Sequence, residues 1–225
     1  TAQRSRNALE ARQNQQAKAI NEAQLERDLK ELAVYKVKLA EFETAYANRN
    51  VAKAAALKTE LINDMQREIE QSEKKIAQDK QELVQSKSEV AASRRETMRS
   101  RIDLKTVDND VKDVRDLGDD HRDRRDDQRD AMDDRSDLEQ QIVRTKRQKQ
   151  IYSTLEAFTF SFEPTLQEKA IANKALLQEF AVTMERDIAA TKVEIAEDKR
   201  EAAEDRRERR EDRRERGEKR RNRNW

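Results

Sequence analysis

The aspartates of residues 119–137 are the side chains whose type and spacing come closest to supporting chemistry. The stretch reads DDHRDRRDDQRDAMDDRSD and contains nine aspartates, five arginines and His121, the single histidine of the chain. On a helix, a large part of these acids falls on one face, which could attract a divalent cation weakly. The acids of this face are Asp120, Asp123, Asp127, Asp130, Asp134 and Asp137, and we call the first five the acidic column. Arginines between them compete with a cation, and the loop signature of an EF-hand is absent, so we predict no specific metal site.

Catalysis has little support among the remaining residues. His121 sits in a run of charged residues and is expected to be an ordinary exposed side chain. The absence of cysteine excludes thiolate ligands and disulfides. The sequence holds no glycine-rich phosphate loop and no Ser/His/Asp set. We therefore predict a protein that is not an enzyme and that has no cofactor.

A charge pattern with a period of seven links residues 119–137 to the tail 196–225. In both segments acids occupy three positions of each seven, and arginine fills most of the others. Within 119–137, residues four apart form six like-charge pairs and only three opposite-charge pairs. Each like pair costs an isolated helix a few tenths of a kcal/mol. The pattern therefore predicts that another charged surface lies against these helices.

The tail supplies the basic counterpart. Residues 206–223 contain eleven basic and five acidic side chains. We predict a self-association interface between the acidic column defined above and five tail residues: Arg206, Arg209, Arg210, Arg213 and Arg214. The predicted interface also includes aromatic residues. Phe158, Phe160 and Phe162 either plug the end of a bundle or dock into a neighbouring copy, and Trp225 is a terminal anchor.

The composition indicates long helices instead of a globular core. Charged residues make up 43% of the chain, with 49 basic and 48 acidic side chains, whereas only 34% of residues are hydrophobic. Two glycines and one proline in 225 residues leave little turn chemistry for a sheet protein. The predicted fold class is therefore all-α: elongated, antiparallel coiled-coil helical hairpins built from about four long helices, assembled as an oligomer.

Apolar periodicity places these helices. A stripe from Leu25 through Leu29 to Tyr46 predicts a first helix, which ends at a reversal near 48–50. A heptad series from Ile62 to Val111, with small or polar residues three positions later, predicts a coiled-coil helix over about 51–117. Gly118 then marks a bend or brief break, which we favour over a full reversal.

The segment 158–165 predicts the second reversal. Its alternating phenylalanines favour an extended strand-like stretch, and Thr165 with Glu168 after Pro164 resembles the capping box of a last helix. The predicted organisation is an N-terminal hairpin over 1–117 and a C-terminal hairpin over 118–225, the latter ending in the charged tail 196–225.

These patterns favour a structural function. We expect a coiled-coil protein that self-assembles into a homo-oligomer, filament, sheath or other surface or envelope assembly. The alternative is an adaptor or scaffold whose basic C-terminal helix binds nucleic acid, an anionic membrane or an acidic partner. Nucleic acid is the less favoured partner because interleaved acids repel phosphate. No apolar run is long enough to span a bilayer, although peripheral membrane contact is compatible with the tail. A start at Thr1 slightly favours an exported protein over a cytoplasmic one.

Overall fold

The computed structural model has an all-α fold with four long helices, as the sequence predicts. The helices are α1 (Ala2–Ala47), α2 (Val51–Thr106), α3 (Val111–Ala157) and α4 (Gln167–Asn222), and a 3₁₀ turn (Pro164–Leu166) precedes α4. The structure describes the backbone of residues 2–106 and 111–222, and side chains mainly within 19–102 and 120–197. Within these backbone ranges there is no strand, so the phenylalanine segment is extended without pairing in a sheet.

The helices cluster into two compact units. One unit spans residues 49–180 and contains α2, α3 and the beginning of α4. The other contains α1 and the part of α4 from Ala181 onward. This grouping differs from the hairpins 1–117 and 118–225 suggested by the sequence.

In the first unit, α2 and α3 pack against each other as an antiparallel hairpin. Ser72 of α2 lies beside Gln148 of α3, whereas Ser86, further along α2, lies beside Asp134, earlier in α3. The chain therefore reverses its direction between Thr106 and Val111.

The predicted end of the second helix at residue 117 is wrong. α2 stops at Thr106, and Gly118 lies inside α3, which is helical on both sides of it. A glycine costs a helix only about 1 kcal/mol relative to alanine, so helical neighbours can carry it without a break. The predicted bend at Gly118 is replaced by a reversal about ten residues earlier.

α3 and α4 are separated by the segment 158–163 and the 3₁₀ turn, where the sequence predicts a reversal. Arg147 of α3 donates from Nε and Nη2 to the two carboxylate oxygens of Glu179 of α4, at 2.6 and 2.7 Å, so the chain doubles back between them. Residues 158–163 are not helical, and Pro164 opens the 3₁₀ turn. The predicted capping box is not formed as such, because Thr165 lies inside the turn and Glu163 precedes it without a side-chain cap.

The helix break predicted at 48–50 is also present. The Asn50 Oδ1 accepts a hydrogen bond from the backbone N–H of Lys53 at 3.1 Å, which caps the start of α2. Arg49 has a φ of 55°, a left-handed conformation more usual for glycine or asparagine. Asparagine therefore supplies the cap as expected, while an arginine takes the left-handed position.

In the second unit, α1 and the C-terminal part of α4 run antiparallel. Lys36 Nζ lies 2.5 Å from Glu185 Oε1, and Lys199 Nζ lies 3.7 Å from Glu22 Oε1. The buried apolar residues of this unit are Leu32, Tyr35, Leu39, Phe42, Ala45, Ala181, Met184, Ile188 and Ile195. The predicted apolar stripe of α1 thus forms a core from Leu32 to Phe42, but Leu29, also expected in it, is exposed.

Replacing Gly118 by alanine tests whether the glycine has a structural role. A Cβ at this position would meet no atom within 4 Å, and the glycine does not have a positive φ. We expect Gly118→Ala to raise the free energy of unfolding by about 0.5–1 kcal/mol in urea denaturation followed by circular dichroism, because alanine favours helix. A loss of stability would show that the helix needs glycine there.

Candidate self-association surface

The candidate surface is built on the seam between α2 and α3. The α2 side follows the predicted heptads, and its described positions up to Ser100 are buried or half-buried. On α3, the seam residues recur at alternating spacings of four and three residues. The side chains of all of them are buried or half-buried. They are Asp120, Arg124, Asp127, Ala131, Asp134, Leu138, Gln141, Thr145 and Gln148. The predicted heptad helix is thus confirmed as one side of a two-helix coiled coil.

Hydrogen bonds between side chains cross this seam at regular intervals. Ser72 Oγ donates to Gln148 Oε1 at 3.2 Å, and Ser86 Oγ donates to Asp134 Oδ2. Ser100 Oγ donates to Asp120 Oδ2. The donors are two heptads apart along α2, and the acceptors are two heptads apart along α3. Serine at the small seam positions therefore satisfies polar groups that would otherwise be costly to bury.

The seam changes character along its length. Near the end formed by Ile62, Met65 and Ile69, the partners on α3 include the buried Ile151 and Leu155. Burial of a large apolar side chain contributes about 1.5–3 kcal/mol, whereas a hydrogen bond contributes a net 0.5–1.5 kcal/mol or so. The apolar end therefore supplies most of the stability, and the serine-aspartate end mainly fixes the alignment.

The structure divides the predicted acidic column into two groups. Asp120, Asp127 and Asp134 belong to the seam and are half-buried, and two of them accept the serine hydrogen bonds described above. Asp123 and Asp130 lie beside the seam and are exposed. The neighbour that lies against the seam aspartates is thus α2 of the same chain.

Among the described aspartates of α3, Asp130 lies where its surroundings raise its pKa. Partial burial raises this pKa above its ordinary value, and the nearby charges of Asp127, Asp126 and Asp134 raise it further. Arg129 acts in the opposite direction. The flank of the hairpin is therefore a place where negative charge is unfavourable.

The tail arginines belong to the other unit. Arg206 and Arg210 lie on α4 and are exposed. Arg209, Arg213 and Arg214 lie within the helical range of α4, and their side chains are outside the described set, as is all of Trp225. The acidic and basic halves of the predicted interface therefore occur in separate units of the chain.

The phenylalanines of the second reversal lie together. Phe158 and Phe160 pack edge to face, with ring centroids 4.9 Å apart and planes at 88°. These two rings and Phe162 are half-buried, so each keeps part of its surface open. The segment is compatible with a local plug and leaves apolar surface at the same place.

Two further properties concern metals and membranes. Among the side chains that the structure describes, no group of three or more histidine, aspartate or glutamate residues could hold a metal ion. None of the described helix segments is long and apolar enough to cross a membrane.

Sequence reasoning missed the pairing of serines with aspartates. The sequence pattern describes the positions of Ser72, Ser86 and Ser100 only as small or polar residues of the heptad series. The signal was present, because serines on α2 and aspartates on α3 share the same seven-residue period.

Comparisons with known proteins identify no relative. No protein-family model matches the chain. Searches of the curated proteins and of the solved structures find no significant match. A proposal for the function therefore depends on the residues and geometry of this chain.

The Ser86→Ala variant tests the hydrogen-bonded seam. Removal of the hydroxyl leaves the half-buried carboxylate of Asp134 with one donor fewer, so we expect the free energy of unfolding to fall by about 1 kcal/mol. Ser88→Ala, on the exposed face of the same helix, is the matched control and should cause no loss. Equal effects of the two variants in urea denaturation would contradict the role assigned to Ser86.

The Asp130→Asn variant tests the charge repulsion on the flank. Because the folded-state pKa is raised, the protonated form favours folding, and this contribution is lost as pH rises through that pKa. We expect Asp130→Asn to be more stable than the parent by a few tenths of a kcal/mol at pH 7, after screening by solvent. The difference should shrink as the pH falls and the parent carboxylate takes up its proton. Asp133→Asn, which removes another exposed charge from the same helix, is the matched control and should change stability less.

Proposed function

We propose that this protein is a non-enzymatic structural protein. Its long helices associate with those of other copies through complementary charged faces, and the product is a filament, a sheath or a comparable surface or envelope assembly. The helical-hairpin fold supports this proposal because long coiled-coil hairpins offer extended sides for contact between copies.

The observation that carries the proposal is the exposed charge that the hairpin leaves on α3. Asp130 and Asp133 are exposed about one helical turn apart, next to Asp126, which forms an ion pair with Arg129. Neighbouring like charges on a helix are unfavourable, and a positively charged neighbour would relieve them. The exposed Arg206, Arg207 and Arg210 of α4 are groups of the required sign.

Exposed apolar side chains give secondary support. Val84 and Met98 are two heptads apart on one face of α2, and they are 68% and 66% exposed. Met132 and Val143 are eleven residues, or three turns, apart on α3 and similarly exposed at 72% and 67%. Such faces add apolar contact area when helices of separate copies lie side by side.

Electron microscopy of the purified chain tests the proposal. Negative-stain images at low salt should show extended assemblies that loosen at about 0.5 M salt, because the Debye length shrinks to a few ångströms. Particles of monomer size at every protein concentration and ionic strength would contradict self-assembly.

Charge reversal in the tail tests the predicted basic side. Changing Arg206, Arg209, Arg210, Arg213 and Arg214 to glutamate should abolish assembly while circular dichroism shows nearly unchanged helicity. Lysine at the same five positions keeps the charge and should keep the assembly. Normal assembly of the glutamate variant would show that these residues lie outside the interface.

A second candidate function is that of an adaptor with a basic C-terminal helix. The observation in its favour is that Arg206, Arg207 and Arg210 are exposed on α4, which remains helical to Asn222. Binding to DNA or RNA with a steep dependence on salt, abolished by deletion of 204–225, would favour this function over assembly.

A further inference from the structure

The register of the α2–α3 hairpin determines which residues flank the seam at the same level. Ser86 with Asp134 and Ser100 with Asp120 fix this register in the polar half. Glu73 follows the seam residue Ser72 of α2, and Lys149 follows the seam residue Gln148 of α3. Their ion pair shows that the residues that follow paired seam residues meet on one side of the hairpin. In an antiparallel coiled coil, the two kinds of flanking position lie on opposite sides of the seam.

One side of the polar half carries only acids. Three glutamates of α2 lie there at heptad spacing, and each has an aspartate of α3 at its level. We call this side the acidic edge, and its pairs are Glu82 with Asp137, Glu89 with Asp130, and Glu96 with Asp123. All of these side chains except Asp137 are exposed. Partial burial and the neighbouring Asp127, Asp126 and Asp134 of the same helix raise the pKa of Asp130.

The opposite side of the polar half is basic. We call it the basic edge, and it consists of Lys80, Lys87, Arg94 and Arg101 of α2 with Arg135 of α3. All five side chains are exposed. These positions continue the side on which Glu73 and Lys149 form their ion pair closer to the apolar end.

This distribution is unfavourable within one hairpin and favourable between hairpins. Coiled coils commonly place opposite charges across the seam, so that the two helices attract each other. Here glutamates face aspartates along the acidic edge, and on the basic edge Lys87 faces Arg135, so the flanking charges do not attract the two helices to each other. The two edges are nevertheless complementary, because the acidic edge is negatively charged and the basic edge is positively charged.

The spacing of the charges matches as well as their sign. Both edges repeat every seven residues, which is roughly 10 Å along a helix. An acidic edge and a basic edge laid side by side can therefore bring three or four opposite charges together in step. A phosphate backbone or a lipid surface would satisfy the basic edge alone, whereas a second copy of this chain satisfies both.

We propose that the acidic edge of one copy binds the basic edge of a second copy. The contact is heterologous, because each copy uses two different surfaces, and repetition therefore leads to an open side-by-side array. This inference rests on the proposed self-assembly and adds to it a second pair of surfaces that meet: exposed residues of α2 and α3, in addition to the α4 tail.

Two variants with reversed edges test the inference. The acidic-edge variant carries Glu82→Lys, Glu89→Lys, Glu96→Lys and Asp130→Lys. The basic-edge variant carries Lys80→Glu, Lys87→Glu, Arg94→Glu and Arg101→Glu. Each variant alone has two edges of one sign, so we expect its critical concentration for assembly to rise at least about tenfold. An equimolar mixture should assemble again, because each variant then supplies the edge that the other lacks.

A matched control changes the outer face of α2 without touching the edges. Lys53→Glu, Lys74→Glu, Arg95→Glu and Arg99→Glu reverse the same number of exposed charges. This variant should assemble within about threefold of the parent concentration. Circular dichroism of all variants checks that the hairpin is folded, and light scattering with electron microscopy measures assembly.

The outcomes separate this inference from the proposed function. A parent chain that stays monomeric overturns both. A parent chain that assembles, with edge variants that assemble equally well, overturns the inference alone. The inference alone is also overturned if the equimolar mixture of edge variants does not assemble. It is overturned as well if reversal of the tail arginines blocks assembly while reversal of the edges does not.

Discussion

The rest of the structure depends on how two very polar helices are held side by side. α2 and α3 have apolar seam residues at one end, and further along they meet through serines, aspartates and glutamines. An unpaired carboxylate in a half-buried seam would destabilise the hairpin, whereas a carboxylate that accepts a serine hydroxyl is tolerated. The aligned hydrogen bonds thus allow the coiled coil to continue where large apolar seam residues, such as Leu83 and Leu138, are few.

This constraint also determines which charges remain outside. Once Asp120 and Asp134 are occupied by serines, the aspartates beside them fall on the flank, where glutamates of α2 already lie. The helix surface therefore gathers acids on one side of the hairpin and bases on the other. A charge pattern that looks balanced in composition becomes two separate edges in space, and these edges are the basis for the assembly that we propose.

Sequence reasoning succeeded where the pattern is local. The break at residues 48–50 and the reversal near 158–165 follow from asparagine, proline and interrupted periodicity. It failed at Gly118, because the helix preference of the neighbours outweighs the cost of one glycine. It also failed for Leu29, whose spacing fits the apolar stripe of α1 although the side chain is exposed, since burial depends on what packs against that turn.

The sequence by itself determined the all-α class, the number of long helices and the heptad face of α2, because a period near 3.6 and a scarcity of glycine and proline leave few alternatives. Only the tertiary structure decided that α2 pairs with α3, where that hairpin turns, and which aspartates accept hydrogen bonds from serine. The physical reason is that periodicity selects the face of a helix that is buried, whereas the partner and the register depend on contacts between residues far apart in the chain.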